Sequence, residues 1–172
     1  MNKYKQHQFI LYDGGGDFDI DEYLDTLTNL QYDSYIEYAL MCGKSSYDRS
    51  YQKRVVDQIK KREELFDTIL KGNSYALLLE SKYKKGVGFW RGRYMDNECF
   101  ESCFVYVDPA WRGNGHGKLL KEHQILYAKE LGYKYIESTT IHSNYIAQAL
   151  LQTTGHSLKP SLFDEISARK KL

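Results

Sequence analysis

The chain has 172 residues, of which 42% are hydrophobic and 27% charged, with a formal net charge of +1. This composition suits one domain spanning 1–172 that buries its own core, and it argues against a generic polyanion binder. There is no apolar run of membrane-span length, no N-terminal signal segment and no cysteine framework beyond Cys42, Cys99 and Cys103, so the expectation is a reduced, cytoplasmic protein that does not enter a membrane.

Asp19-x-x-Glu22 reads as a capping box, with Ile20, Tyr23, Leu24, Leu27 and Leu30 at helical spacing behind it. A second short helix is expected over 33–42. A longer one is expected over about 48–71, with Val55, Ile59, Phe66 and Leu70 on one stripe and Gly72-Asn73 as its stop. Residues 1–48 hold nine acids against three lysines, a balance of −6, so the remainder carries +7. That acidity is either a solvated helix face or a wall facing a cationic substrate.

The pattern then changes to strands. Residues 74–81 and 86–94 flank Lys82-Tyr83-Lys84-Lys85 as a hairpin, and 99–108 is a third strand. Period two places Cys99, Glu101, Cys103, Val105 and Val107 on one face of it. The two cysteines would then lie ~13 Å apart, too far for a disulfide, and read as small hydrophobes. A helix runs to Leu131 and stops at Gly132, a strand follows over 133–140, a helix over 144–153 and a final strand over 163–169. The order argues for an α/β (α+β) domain, a mixed and mostly antiparallel sheet flanked by helices.

Between strand and helix lies Trp111-Arg-Gly-Asn-Gly-His-Gly-Lys118, with glycines at 113, 115 and 117. The nucleoside-triphosphate loop fails, because Gly117-Lys118 is followed by Leu119 and the first glycine position holds Arg112. The dinucleotide spacing fails too, since its last glycine would fall on Lys118 or Leu120. What remains is a helix start whose first amides lack partners and sit at the positive end of the helix dipole. Alternate glycines let an anion approach those amides without meeting a Cβ, with Arg112 and Lys118 adding charge at either end. A diphosphate suits such a loop.

The spacing Arg112-x-x-Gly115-x-Gly117, with Pro109 before it and Asn144-x-x-Ala147, Leu150 and Gly155 after it, resembles the GNAT superfamily of N-acetyltransferases. The similarity covers about 98–156 and extends back to 74, where a sheet and acetyl-coenzyme A core (74–172) would begin. Residues 1–73 match only in kind, as the helical acceptor-side region. The resemblance implies a GNAT-like acyl-CoA acyltransferase fold. It implies acetyl-coenzyme A as acyl donor, with the main chain at Val105 and Val107 pairing its pantetheine arm. The amides of Gly113, Asn114, Gly115, His116, Gly117 and Lys118, beside Arg112, would hold its diphosphate. Asn144 would bond the pantetheine arm, or cap its own helix, or both. The His116 side chain is expected to point to solvent.

Many members carry a tyrosine seven residues after that asparagine, as the acid for the departing thiolate; here the residue is Leu151. Glu101 is the candidate base that takes a proton from the attacking amine, or a cross-strand partner for Arg91 or Arg93. His123 and His142 lack the spacing of a metal site, and no metal is expected. Basic residues at 53–62 and 82–93 fit solvated faces better than nucleic-acid contact.

The expected activity is acetyl transfer to an amine on a small molecule or protein. The alternative is a catalytically weak or inactive binding module that keeps the acyl-CoA loop. About seventeen residues follow Gly155, short for the two strands that close this fold. One strand is either abbreviated or supplied by a partner chain, which makes a homodimer a candidate assembly.

Overall fold

The computed structural model describes residues 7–14, 21–41, 58–161 and 164–172. Its elements are β1 (His7–Tyr12), α1 (Asp21–Met41), α2 (Gln58–Leu70), β2 (Asn73–Glu80), β3 (Gly86–Tyr94), β4 (Cys99–Val107), α3 (His116–Glu130), β5 (Tyr135–Ile141), α4 (Tyr145–Thr153), β6 (Ser157–Pro160) and β7 (Glu165–Lys171). Seven strands form one sheet in the order β1-β2-β3-β4-β5-β7-β6. Every neighbouring pair is antiparallel except β4 and β5, which run parallel with α3 as their crossover.

Both faces of the central strands are covered, which is why Ser74–Leu79 reads as an unbroken buried run rather than an alternation. On one face Tyr12, Tyr75, Leu77 and Phe89 pack with Leu24, Leu27 and Leu65 of the first two helices. On the other, Leu78, Trp90, Phe100 and Ile136 pack with Leu120 and Ala128 of α3.

Three expectations change. Residues 21–41 form one continuous helix where two were expected. The first 73 residues also contain a strand, β1, paired along the edge of β2. Among the described side chains of α2 the buried ones are Leu65 and Ile69, while Leu70 is 87% exposed. The expected capping box and the helix over 48–57 include residues outside those described. Both closing strands come from the chain itself, with β6 cut to four residues.

Period two also fails along β4. Arg91 pairs with Phe104 but Gly92 pairs with Ser102, so Cys103 is a bulge without a partner in β3. Before the bulge, Phe100 and Ser102 face α3; after it, Val105 and Val107 do. Glu101, beside Arg93, therefore lies on the α1 side with Phe104, on the face opposite Val105 and Val107.

Candidate active site

The β4–β5 ladder is short. It runs from Cys99↔Tyr135 to Ser102↔Ser138 and stops, while β5 stays paired with β7 as far as Ile141↔Glu165. Residues 103–107 of β4 therefore part from β5, and the gap is a cleft of about 670 Å³. Val105, Val107 and Thr140 form its walls, Ala147 and Leu150 of α4 one flank, and Glu37 and Tyr38 of α1 the rim. The parting exposes the main chain of β4 on the side where a further strand would lie.

The glycine loop stands at the mouth of the cleft. Asp108 ends β4 by accepting the amide of Ala110 at 2.8 Å, which starts a single 3-10 turn over Pro109–Trp111. Gly115 then caps α3 at φ 83°, in the left-handed region where a Cβ is costly, and supplies no side-chain cap. The first-turn amides at His116, Gly117 and Lys118 have no carbonyl of their own helix to bond. A Cβ on Gly117 would meet only Val107 Cγ2 at 3.9 Å and Leu150 Cδ2 at 4.0 Å, so packing alone does not demand a glycine there.

The charged side chains of the loop are placed differently from expectation. Arg112 is bound by Glu37 at 2.8 and 2.6 Å and donates its Nε to the Val107 carbonyl at 2.9 Å. Lys118 is exposed, 3.8 Å from Glu122. His116 does not point to solvent; it is 9% exposed, with Nδ1 2.9 Å from the Trp111 carbonyl oxygen and its ring edge against His7. Asn144 accepts the Ala147 amide at 3.0 Å, capping α4 while lining the cleft.

One group at the cleft escaped the sequence reading. Lys121 is fully buried where the ladder ends, with Nζ donating to Ser102 Oγ at 2.6 Å, Ser138 Oγ at 2.8 Å and Gln124 Oε1 at 3.2 Å. Burial pushes its ammonium down from 10.5 to about 7. The signal was present: Lys121 and Gln124 fall on the helical stripe of Gly117, Leu120 and Ala128, so two polar residues interrupt an apolar face.

A family model described as the acetyltransferase (GNAT) family matches residues 34–156. The chain belongs to the GNAT acetyltransferase family. Solved structures of this GNAT fold resemble it over nearly their whole length. A PaiA N-acetyltransferase of Thermoplasma acidophilum, in complex with coenzyme A, has a TM-score of 0.71 at 14% identity, covering 96% of this chain and 99% of that one. The YncA protein of Salmonella typhimurium, with its cofactor acetyl-CoA, has a TM-score of 0.68 at 17% identity, covering 97% and 94%. A GNAT family acetyltransferase of Elizabethkingia anophelis with acetyl-CoA bound has a TM-score of 0.60 at 17% identity, covering 98% and 99%. No functionally curated protein matches significantly in sequence.

In this GNAT chain Leu151 is 5% exposed and lines the cleft with no proton to offer. Glu101 is ion-paired with Arg93, while Arg91 instead bonds Asn73 and the Tyr35 hydroxyl. Burial pushes the Cys103 thiol up, which keeps it protonated and a poor nucleophile. Among the described residues no group of three or more His, Cys, Asp or Glu could hold a metal, and no helix is long and apolar enough to cross a membrane.

Proposed function

We propose that the chain is an N-acetyltransferase that moves an acetyl group from acetyl-coenzyme A to an amine by direct attack. The observation that carries this reading is the parting of β4 from β5 beside a helix start built on bare glycine. The main chain of Val105 and the amide of Val107, parted from β5, offer strand-like bonds to an extended arm, while the Val107 carbonyl already accepts Arg112 Nε; the amides of 113–118 offer donors to a diphosphate. Thermoplasma and Elizabethkingia relatives carry coenzyme A and acetyl-CoA in their structures, which supports the same ligand here. Asn144 would meet the arm through whatever bonding capacity its cap leaves.

The acceptor amine would approach from the α1 side of β4, where Tyr35 and Tyr38 pack edge-on to Phe104. Glu101 is on that side and would take a proton from the amine through a water, provided Arg93 shares it. The protonated Cys103 thiol favours direct attack over an acyl-enzyme. The acceptor is a small molecule or protein bearing an amine, and a cytoplasmic location belongs to the same proposal.

A second reading, a binding module that retains the loop, is favoured by two observations: Leu151 in place of an acid, and Arg112 held by Glu37. Incubation with acetyl-coenzyme A and a panel of amines, read as free thiol released, separates the two. Amine-dependent release supports the transferase, and binding without release for any amine supports the module.

A further inference from the structure

Lys121 is the buried group of the cleft that cofactor binding leaves unused. Among the described residues no carboxylate bonds it. Glu101 and Glu137, each next in sequence to one of its serine partners, are held by Arg93 and Arg169. Burying an ammonium without a counter-ion is unfavourable, and a methionine would fill the same space more cheaply. The amine therefore needs a use, and it lines the cleft where the strands part.

Resting on the acetyl-transfer reading, we propose that Lys121 donates the proton taken up by the sulfur that leaves as the acetyl group is transferred. The acceptor nitrogen adds to the thioester carbon, and the carbon–sulfur bond breaks with its electron pair going to sulfur. The Lys121 ammonium protonates that sulfur and becomes a neutral amine. The proton lost by the acceptor nitrogen, passed through solvent, restores Lys121. The sum is amine plus thioester to amide plus free thiol.

The surroundings suit that cycle. Three acceptors match the three N–H groups of an ammonium. The bond to Gln124 is the longest, at 3.2 Å, and Gln124 Oε1 keeps the Ser102 hydroxyl at 2.7 Å when one N–H turns away. An ordinary thiol holds its proton with a pKa of about 8.5, so transfer from Lys121 to the thiolate runs downhill. Facing Lys121 are Ser102 and Cys103 of β4, Ser138 of β5 and His156 just before β6. Burial keeps the Cys103 thiol protonated and uncharged beside the ammonium, and His156 is held neutral by burial, down to about 4.

The test uses Lys121→Met and Ser138→Ala in the full chain, with acetyl-coenzyme A as the binding probe. Lys121→Met should bind it within ~3-fold of the parent, yet lose ~10²–10⁴-fold in single-turnover transfer. It should also lose the parent's fall in rate above about pH 7. Ser138→Ala keeps the amine but removes an acceptor from its charged form, so that fall should move to lower pH. In the unliganded parent, stability should rise with pH above about 7, because the unfolded lysine keeps its proton to about 10.4. Lys121→Met should lack that rise. A Lys121→Met protein with the parent's rate and pH profile would overturn the assignment. So would weak acetyl-coenzyme A binding with the rate restored at saturation, which would make Lys121 a binding residue. If the parent itself fails to bind acetyl-coenzyme A, the transferase reading falls, and the stability arm still reports whether Lys121 titrates as argued.

Discussion

Glu37 of α1 grips Arg112 of the glycine loop through both terminal guanidinium nitrogens, at 2.8 and 2.6 Å. The pair ties the acceptor-side helix to the mouth of the cleft, and it raises the Arg112 pKa further. It also commits the cation that the loop spacing suggested for a diphosphate. Both side chains are more than a third exposed, so the pair contributes little to stability, about 0–1 kcal/mol.

Glu37→Gln should therefore leave the melting midpoint nearly unchanged while freeing Arg112 and removing a negative charge from the mouth. Acetyl-coenzyme A affinity, measured by calorimetry, should rise by ~3–10-fold, the scale of one charge contact. An affinity that falls instead would show that Glu37 positions Arg112 rather than competing for it.

Much of the cleft was legible because glycine spacing and strand-to-helix order are local properties of the chain. The Asn144 cap, the strand ending at Val107 and the helix starting at His116 all follow from residues within a few positions of each other. The face of Glu101 was not legible, since the bulge at Cys103 depends on registry with Gly92 and Arg91 in another strand. The burial of His116 was hidden for the same reason, as it depends on His7 and Trp111 packing over it. β1 was missed because it gains its place only by pairing with β2 along the sheet edge.

Acid should destabilise the fold through two histidines held neutral. His123 stacks on Phe9 at 3.7 Å and accepts the Trp90 indole N–H at 2.9 Å, and burial holds it down to about 4; His156 is held to about 4 as well. With folded values below the unfolded 6.5, the unfolded chain binds more protons. Stability is then full above about 6.5 and lost as pH falls toward 4. Thermal melts across that window should show the fall, and His123→Phe should make it shallower, leaving the share that His156 contributes. The same variant should lose about 1–3 kcal/mol near neutral pH, because Trp90 keeps a buried N–H without an acceptor. A parent curve flat through the window would contradict the neutral, buried placement.

If Glu101 accepts a proton from the incoming amine, Glu101→Gln should lower the transfer rate by ~10²-fold or more with nearly unchanged acetyl-coenzyme A affinity. The change also removes the partner of Arg93, an exposed pair of little energetic weight. Parent-like turnover across a pH series, together with only a small change in stability, would leave Glu101 as the cross-strand partner of Arg93 and place the base elsewhere.

The central claim is that the parted strands and the bare helix start hold acetyl-coenzyme A, and Gly117 addresses it most directly. A Cβ there meets nothing closer than 3.9 Å, so a side chain at 117 disturbs what enters the cleft before it disturbs the fold. The measurement is a calorimetric titration of acetyl-coenzyme A into the parent and Gly117→Val, with melting midpoints recorded alongside. Binding of one ligand per chain by the parent, weakened at least ~10-fold (about 1.4 kcal/mol) in a variant that melts with the parent, is the predicted result. No binding by the parent, or equal affinity in the two proteins, would contradict it.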